Sequence, residues 1–274
     1  MSHPTLRPVV TAYRRALSSQ FSFRILRLSF VPLLLSLLTG FTILYFAANP
    51  LMDLIQTIFA RYELNDYIGA GALKMIMVPL ILMVLLLPLT LVIVTLIMNV
   101  AAMPAIVKHV GARQYPNLAQ KKGGTLIGGL ALNVVTMLKF VPIWLVTLPL
   151  YIFPPLAIMV QVILFGRLNA RVMAYDALAD HASAEEFAAI VKLHARHLTT
   201  IGVISGACGA IPGLVWLGGA ITLLFPVLAP LSIWLFIMVF IFTALWFQYY
   251  CMQALEELRA AQRGSGKDAV AVHA

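Results

Sequence analysis

From Leu198 to Leu255 the chain runs for 58 residues without one Asp, Glu, Lys, Arg or His. A core helix of a water-soluble protein with this hydrophobicity would be bounded after about 10–14 residues, whereas about 20 apolar residues cross the roughly 30 Å hydrocarbon core of a bilayer. Charge is missing again from Leu28 to Met52, from Met75 to Val107 and from Phe140 to Gly166. Only 11% of the residues are charged and 62% are hydrophobic, too small a polar inventory to cover a soluble domain. Cysteine is nearly absent. Cys208 and Cys251 both fall inside the 58-residue run, which excludes a spaced disulfide framework or a thiolate metal site. There is no Walker loop, no dinucleotide glycine fingerprint and no Ser-His-Asp nucleophile elbow, so nothing supports ATP-driven transport or catalysis and no catalytic residue is assigned. His194 and His197 are spaced to share a helix face, but no carboxylate or thiol completes a metal set around them. Neither a metal nor a cofactor is expected.

What is present is membrane-like throughout, with a mean hydropathy of +0.96. The apolar runs are continuous, not alternating as in a membrane barrel, and a lipid-facing backbone must satisfy its own hydrogen bonds. The fold class is therefore all-α integral membrane protein. The net charge of +9 comes without any nucleic-acid-binding motif, and its distribution points to membrane orientation and not to DNA or RNA. Five Lys and Arg precede Leu28, two lie in Asp53–Lys74, four in Lys108–Lys122 and four in Arg167–Arg196. By the positive-inside rule the N-terminus is cytoplasmic, the segment around Asp53, Glu63 and Asp66 is outside, and the other two basic segments are inside. The five arginines from Arg7 to Arg27 do not form a secretory signal, so the leading segment is expected to be retained. Tyr13 to Arg27, with Phe21, Phe23 and Leu26 among them, can sit with anionic headgroups.

These counts predict one multi-pass membrane domain over residues 1–259, with spans at about 28–52, 75–107, 124–148, 150–166, 198–225 and 227–255, and a disordered tail over 260–274. Both termini are then cytoplasmic. Two architectures satisfy the parity: six full spans, or two long spans plus two helical hairpins that dip into the bilayer. Pro149, Pro154, Pro155, Pro212, Pro226 and Pro230 favour interrupted arms, because interior prolines break the helical hydrogen-bond ladder. An interfacial helix is expected at about 183–197, opened by a capping box in which Ser183 caps and Glu186 answers.

Gly202, Gly206 and Ala210 recur every fourth residue, a face that lets membrane helices approach closely. Gly209, Ile211, Pro212 and Gly213 mark a helix break inside the last block, the interrupted hairpin, where freed backbone groups could contact an ion or a partner loop. Lys139 stands alone in an apolar setting. It is either a functional cation inside the membrane or a side chain that snorkels to the interface. Asn99, Asn133, Gln161 and Asn169 read as interhelical hydrogen-bonding residues.

Pro32 opens the first apolar run, Asn99-Val100-Ala101-Ala102-Met103-Pro104 closes the second, Asp176 and Asp180 stand four apart, Phe187 follows, and Gly202 precedes Pro212 by ten. In this order and spacing the chain, from Arg24 to Pro212, resembles the CysZ sulfate-transporter family and its eukaryotic relative, the etoposide-induced membrane protein. The resemblance implies a bacterial inner-membrane permease for sulfate, passive and without ATP hydrolysis, with two long spans and two membrane-dipping hairpins, assembled as a homo-oligomer in the lipid bilayer. The family's paired basic residues before the first span correspond here to Arg27, with Arg24 one helical turn earlier; these two and Lys139 are the candidate anion-binding residues. The sequence departs from the pattern at Met103-Pro104-Ala105-Ile106 and at Leu178, and it lacks the glycine before the basic pair. The other function in keeping with the resemblance is a non-transporting assembly or stress-related protein that binds other membrane proteins through its glycine-bearing helices.

Overall fold

The computed structural model describes residues 6–61, 94, 97, 98, 102–121, 123, 124, 126–147, 149, 150, 153–220 and 225–271. Among these there is no strand. The helices are α1 (Arg7–Gln20), α2 (Phe23–Arg61), α3 (Met103–Gln114), α4 (Leu126–Thr147), α5 (Pro154–Leu178), α6 (Ala184–Leu193), α7 (Ala195–Ala220) and α8 (Phe225–Ala271). Two of them are long and apolar enough to cross a membrane, over Phe23–Thr42 and Val227–Arg263. The protein is thus an all-helical membrane protein. Most of the expected second span, with Asn99 to Ala101, lies outside the described residues, as do Glu63 and Asp66.

The chain forms two compact units. The first contains residues 1–25, 103–208 and 239–274. Here α1 is held along the second half of α8: the Trp246 indole N–H donates to the Val9 carbonyl at 3.1 Å, and the Ser19 and Tyr249 hydroxyls are 2.7 Å apart. Tyr13 sets its ring edge-on to Phe242 and Trp246, with centroids 5.3 and 5.0 Å away. Ile106, Leu178, Ile190, Ile201, Phe247 and Tyr250 are fully buried in this unit. Helices α4 and α5, joined by a short connection, pack on one another as a helical hairpin, and α5 packs on α6.

The small-residue face brings α7 onto α5, but not along its whole length. A Cβ on Gly202 would overlap the Gly166 carbonyl oxygen and sit 3.0 Å from the Ala170 Cβ, so the two backbones are in direct contact at Gly202 and Gly166. At Gly206 a Cβ would meet no described atom within 4 Å. Of the two described positions of this face, Gly202 makes the close contact and Gly206 does not, as expected where two helices that cross touch closely only near the crossing. The surroundings of Ala210 and Gly213 lie outside what is described.

The second unit contains residues 26–102 and 209–238. Pro32 and Pro50 lie inside α2, Pro212 inside α7 and Pro230 inside α8. Pro212 does not end its helix. The Ser232 hydroxyl of α8 donates to the Pro212 carbonyl, joining the two arms of the last hairpin at the proline. Helix α8 continues to Ala271 through Gly264, Ser265 and Gly266, where an unstructured tail was expected; Glu256, Glu257 and Arg259 belong to the same helix and carry its pattern past the apolar block.

Candidate functional site

The start of α6 concentrates the polar contacts of the first unit. The Ser183 hydroxyl accepts from Glu186 N at 3.2 Å and Glu186 Oε2 accepts from Ser183 N at 2.9 Å, so both halves of the capping box are made. The Glu186 side chain is 5% exposed, and a carboxylate that deep needs a counter-charge. Arg259 of α8 supplies it. Its Nε donates to Oε1 at 3.0 Å and its Nη2 to Oε2 at 2.9 Å, a two-pronged grip suited to a planar carboxylate. The same guanidinium donates to the carbonyls of Ala119 at 2.9 Å and His181 at 2.7 Å. Lys121 adds a third cationic contact to Oε1 at 2.7 Å. Arg259 first, then Lys121 and the Ser183 amide, hold the Glu186 carboxyl down at about 2 against the opposing effect of burial. One guanidinium thus ties α8 to the cap of α6, the turn after α5 and the 115–121 loop.

Beside this knot lies a cleft of about 430 Å³ lined by Lys108, Gly111, Tyr115, Gln120, Asp180 and His181, among others. His181 is buried, and its Nδ1 has no partner among the described residues. Burial first, then Arg259, keep this imidazole below its ordinary value, with Asp180 opposing them. Asp176, one turn before Asp180, sits where burial alone pushes its carboxyl up to about 6. A raised acid pKa means that the folded protein holds a proton the unfolded chain releases, so this residue's effect on stability worsens as pH rises from about 4 to above 6. Asp176→Asn should therefore stabilise the protein by about 2–3 kcal/mol at pH 8 and by only about 0.5 kcal/mol at pH 4. Thermal unfolding in detergent at the two pH values reads this directly, and an equal effect at both would disprove it.

Arg24 and Arg27 are both exposed on the first turns of α2. Arg24 acts on His109 of α3: burial first, then the charges of Arg113 and Arg24, lower that imidazole's pKa. His109 Nε2 is buried without a partner among the described residues. A neutral imidazole between arginines can offer an N–H to an oxyanion that the guanidinium groups attract. Lys139 is exposed on α4. The structure therefore gives Arg24 the company of His109 and Arg113, neither of which stands out in the sequence, because α3 and α2 are distant in the chain.

Residues 12–218 match the model of the family described as sulfate transporter CysZ/etoposide-induced protein 2.4. The chain belongs to that family. The match covers more than half of the chain and includes Arg24, Arg27, Asp176, Asp180, Phe187, Gly202 and Pro212. No curated protein and no solved structure matches significantly.

Two further sites are formed by residues whose surroundings the sequence does not show. His194 Nδ1 is 2.8 Å from the Tyr250 hydroxyl, with the His197 ring beside both; these histidines therefore face an aromatic partner on α8. Gln248 is fully buried, and neither amide atom has a partner among the described residues. A buried amide left open in an apolar helix marks a place for water or a polar passenger. The available signal was that Gln248 and Gln253 are the only amides between Leu198 and Leu255.

Proposed function

We propose that this CysZ-family protein is a passive permease for a small inorganic anion, with sulfate the first candidate, driven by the anion gradient and using neither ATP nor a cofactor. Family membership over residues 12–218 is the observation that carries this reading. Two exposed arginines three residues apart at the head of an apolar helix, with the unpartnered His109 nitrogen near Arg24, support an oxyanion-collecting mouth. Residues three apart lie on one helix face, and guanidinium forks match the geometry of a tetrahedral oxyanion. In this reading the protein is a multi-pass homo-oligomer of the bacterial inner membrane, with both termini in the cytoplasm and helical hairpins between its long spans. Lys139 is a further candidate anion contact.

Purified protein in proteoliposomes should admit radiolabelled sulfate down its gradient and should unfold at a higher temperature in sulfate than in chloride. Arg24→Gln with Arg27→Gln should abolish both effects while leaving insertion and oligomer size unchanged. The double Lys variant should recover only part of the shift, since an ammonium lacks the planar fork. Absence of both flux and thermal shift in the wild-type protein would leave the non-transporting assembly role as the better reading.

A further inference from the structure

Helix α1 presents three different faces, and one of them is unexplained by packing. Val9, Ala12, Ala16, Ser19 and Gln20 are buried, and at 3.6 residues per turn they occupy an arc of about 100° directed at the protein. Leu6, Val10, Tyr13, Leu17 and Phe21 are 59, 53, 38, 41 and 71% exposed. These five, running from cap to cap, fall within a neighbouring arc of about 80°. Arg7 and Arg14 are exposed and border this apolar stripe on its far side, while Arg15 is turned away towards Glu256 and Glu257. No acidic residue precedes Asp53.

We propose that this face of α1 is a docking site for anionic phospholipid, with Leu6, Val10, Leu17 and Phe21 set among the acyl chains and Arg7 and Arg14 paired with headgroup phosphates. Only two residues separate α1 from α2, whose first twenty residues are apolar enough to enter a bilayer. The stripe is thus delivered to the membrane boundary by chain connectivity alone. An apolar stripe edged by arginines and free of acids is complementary to a negatively charged leaflet and to little else at that depth. The contacts of α1 with α8 through Trp246 and Tyr249 fix the rotation of the helix, so the stripe cannot roll inward to hide. The site is separate from the anion mouth in the proposed function, and the helix serves here as a lipid-held anchor for α8.

The test uses the full chain with a bimane label on Leu17→Cys in a Cys208→Ala background; Cys251 is fully buried and can stay. The protein is placed in nanodiscs of phosphatidylcholine containing a fixed fraction of brominated phosphatidylglycerol or brominated phosphatidylcholine. The phosphatidylglycerol should quench the label more strongly, and the preference should fall about 25-fold in Arg7→Gln with Arg14→Gln, since each surface arginine contributes about fivefold to anionic-lipid binding. Raising salt to 0.5 M should weaken the preference in the protein with both arginines intact, which requires no further variant. Weak quenching by both lipids would show that the stripe lies outside the acyl region. Equal quenching by the two lipids at low salt would show that charge plays no part. Either result overturns the proposal. Sulfate flux is measured in parallel: its absence bears on the permease reading alone.

Discussion

Replacing Arg259 by methionine should lower the unfolding midpoint of the detergent-solubilised protein by roughly 10 °C. The side chains of Arg259 and Glu186 are 7 and 5% exposed, so removing the guanidinium leaves the buried carboxylate with only the half-exposed Lys121 and the Ser183 amide, a loss of about 3 kcal/mol, the low end of the range for breaking a buried pair. For a chain of this size each kcal/mol moves the midpoint by about 2–4 °C. Two carbonyls, those of Ala119 and His181, lose their donor as well. Lys121→Gln should cost far less, about 1 kcal/mol or below, because Lys121 is 48% exposed and its attraction is screened. The diagnostic comparison is the double variant: adding Glu186→Gln to Arg259→Met removes the buried charge and should recover part of the loss. A double variant that is simply the sum of the two singles would show that the residues act independently.

The same pair has a defined pH dependence. The folded-state pKa of Glu186 is depressed from 4.5 to about 2, so its contribution is complete above about pH 4.5 and fades as pH falls towards 2. The difference between wild type and Arg259→Met should accordingly shrink below pH 4. A difference that stayed constant down to pH 3 would place its origin in packing, not charge.

The residues that were legible in the sequence are those whose constraint is local. Charge-free runs longer than 20 residues declare a membrane helix without reference to any partner, and the Ser183–Glu186 box reports its own geometry because both groups lie within one turn. What Glu186 does beyond the cap was hidden. Its main partner, Arg259, is 73 residues away, and one arginine after Glu256 and Glu257 looks like a solvated helix end. Gly202 was visible as part of a periodic face, but periodicity gives a face, not the point where another helix crosses it; hence the different surroundings of Gly202 and Gly206. Composition made α1 basic and aromatic, yet its division into a packed arc, an apolar arc and a basic edge emerges only once α8 occupies one side. Asp176 and Asp180 were readable as a spaced pair. Their separation into a half-buried carboxyl and an exposed one was not, since Asp176 lies within α5 while Asp180 falls in the turn after its end.

Gly202→Ala and Gly206→Ala should change stability in opposite directions. At Gly202 the added carbon itself falls on the Gly166 carbonyl oxygen, with Ala170 Cβ 3.0 Å away. The opposing atom is backbone, so no rotamer change can relieve the overlap and α5 and α7 must separate. The reciprocal view is the same: a Cβ on Gly166 would lie 2.7 Å from Val203 Cα and 2.8 Å from its nitrogen. Overpacking of this kind costs about 1–3 kcal/mol where side chains can adjust and more where they cannot, so a loss of about 3 kcal/mol is expected, read as a fall in unfolding midpoint and in yield. At Gly206 the new methyl meets no described atom within 4 Å, and exchanging a mid-helix glycine for alanine should add about 0.5–1 kcal/mol. Equal losses at both positions would restore the three-residue contact face suggested by the sequence spacing. Loss of oligomer size in Gly206→Ala alone, with the midpoint of Gly202→Ala unchanged, would mean that this helix face meets another copy of the chain and that the crossing at Gly166 is looser than the structure shows.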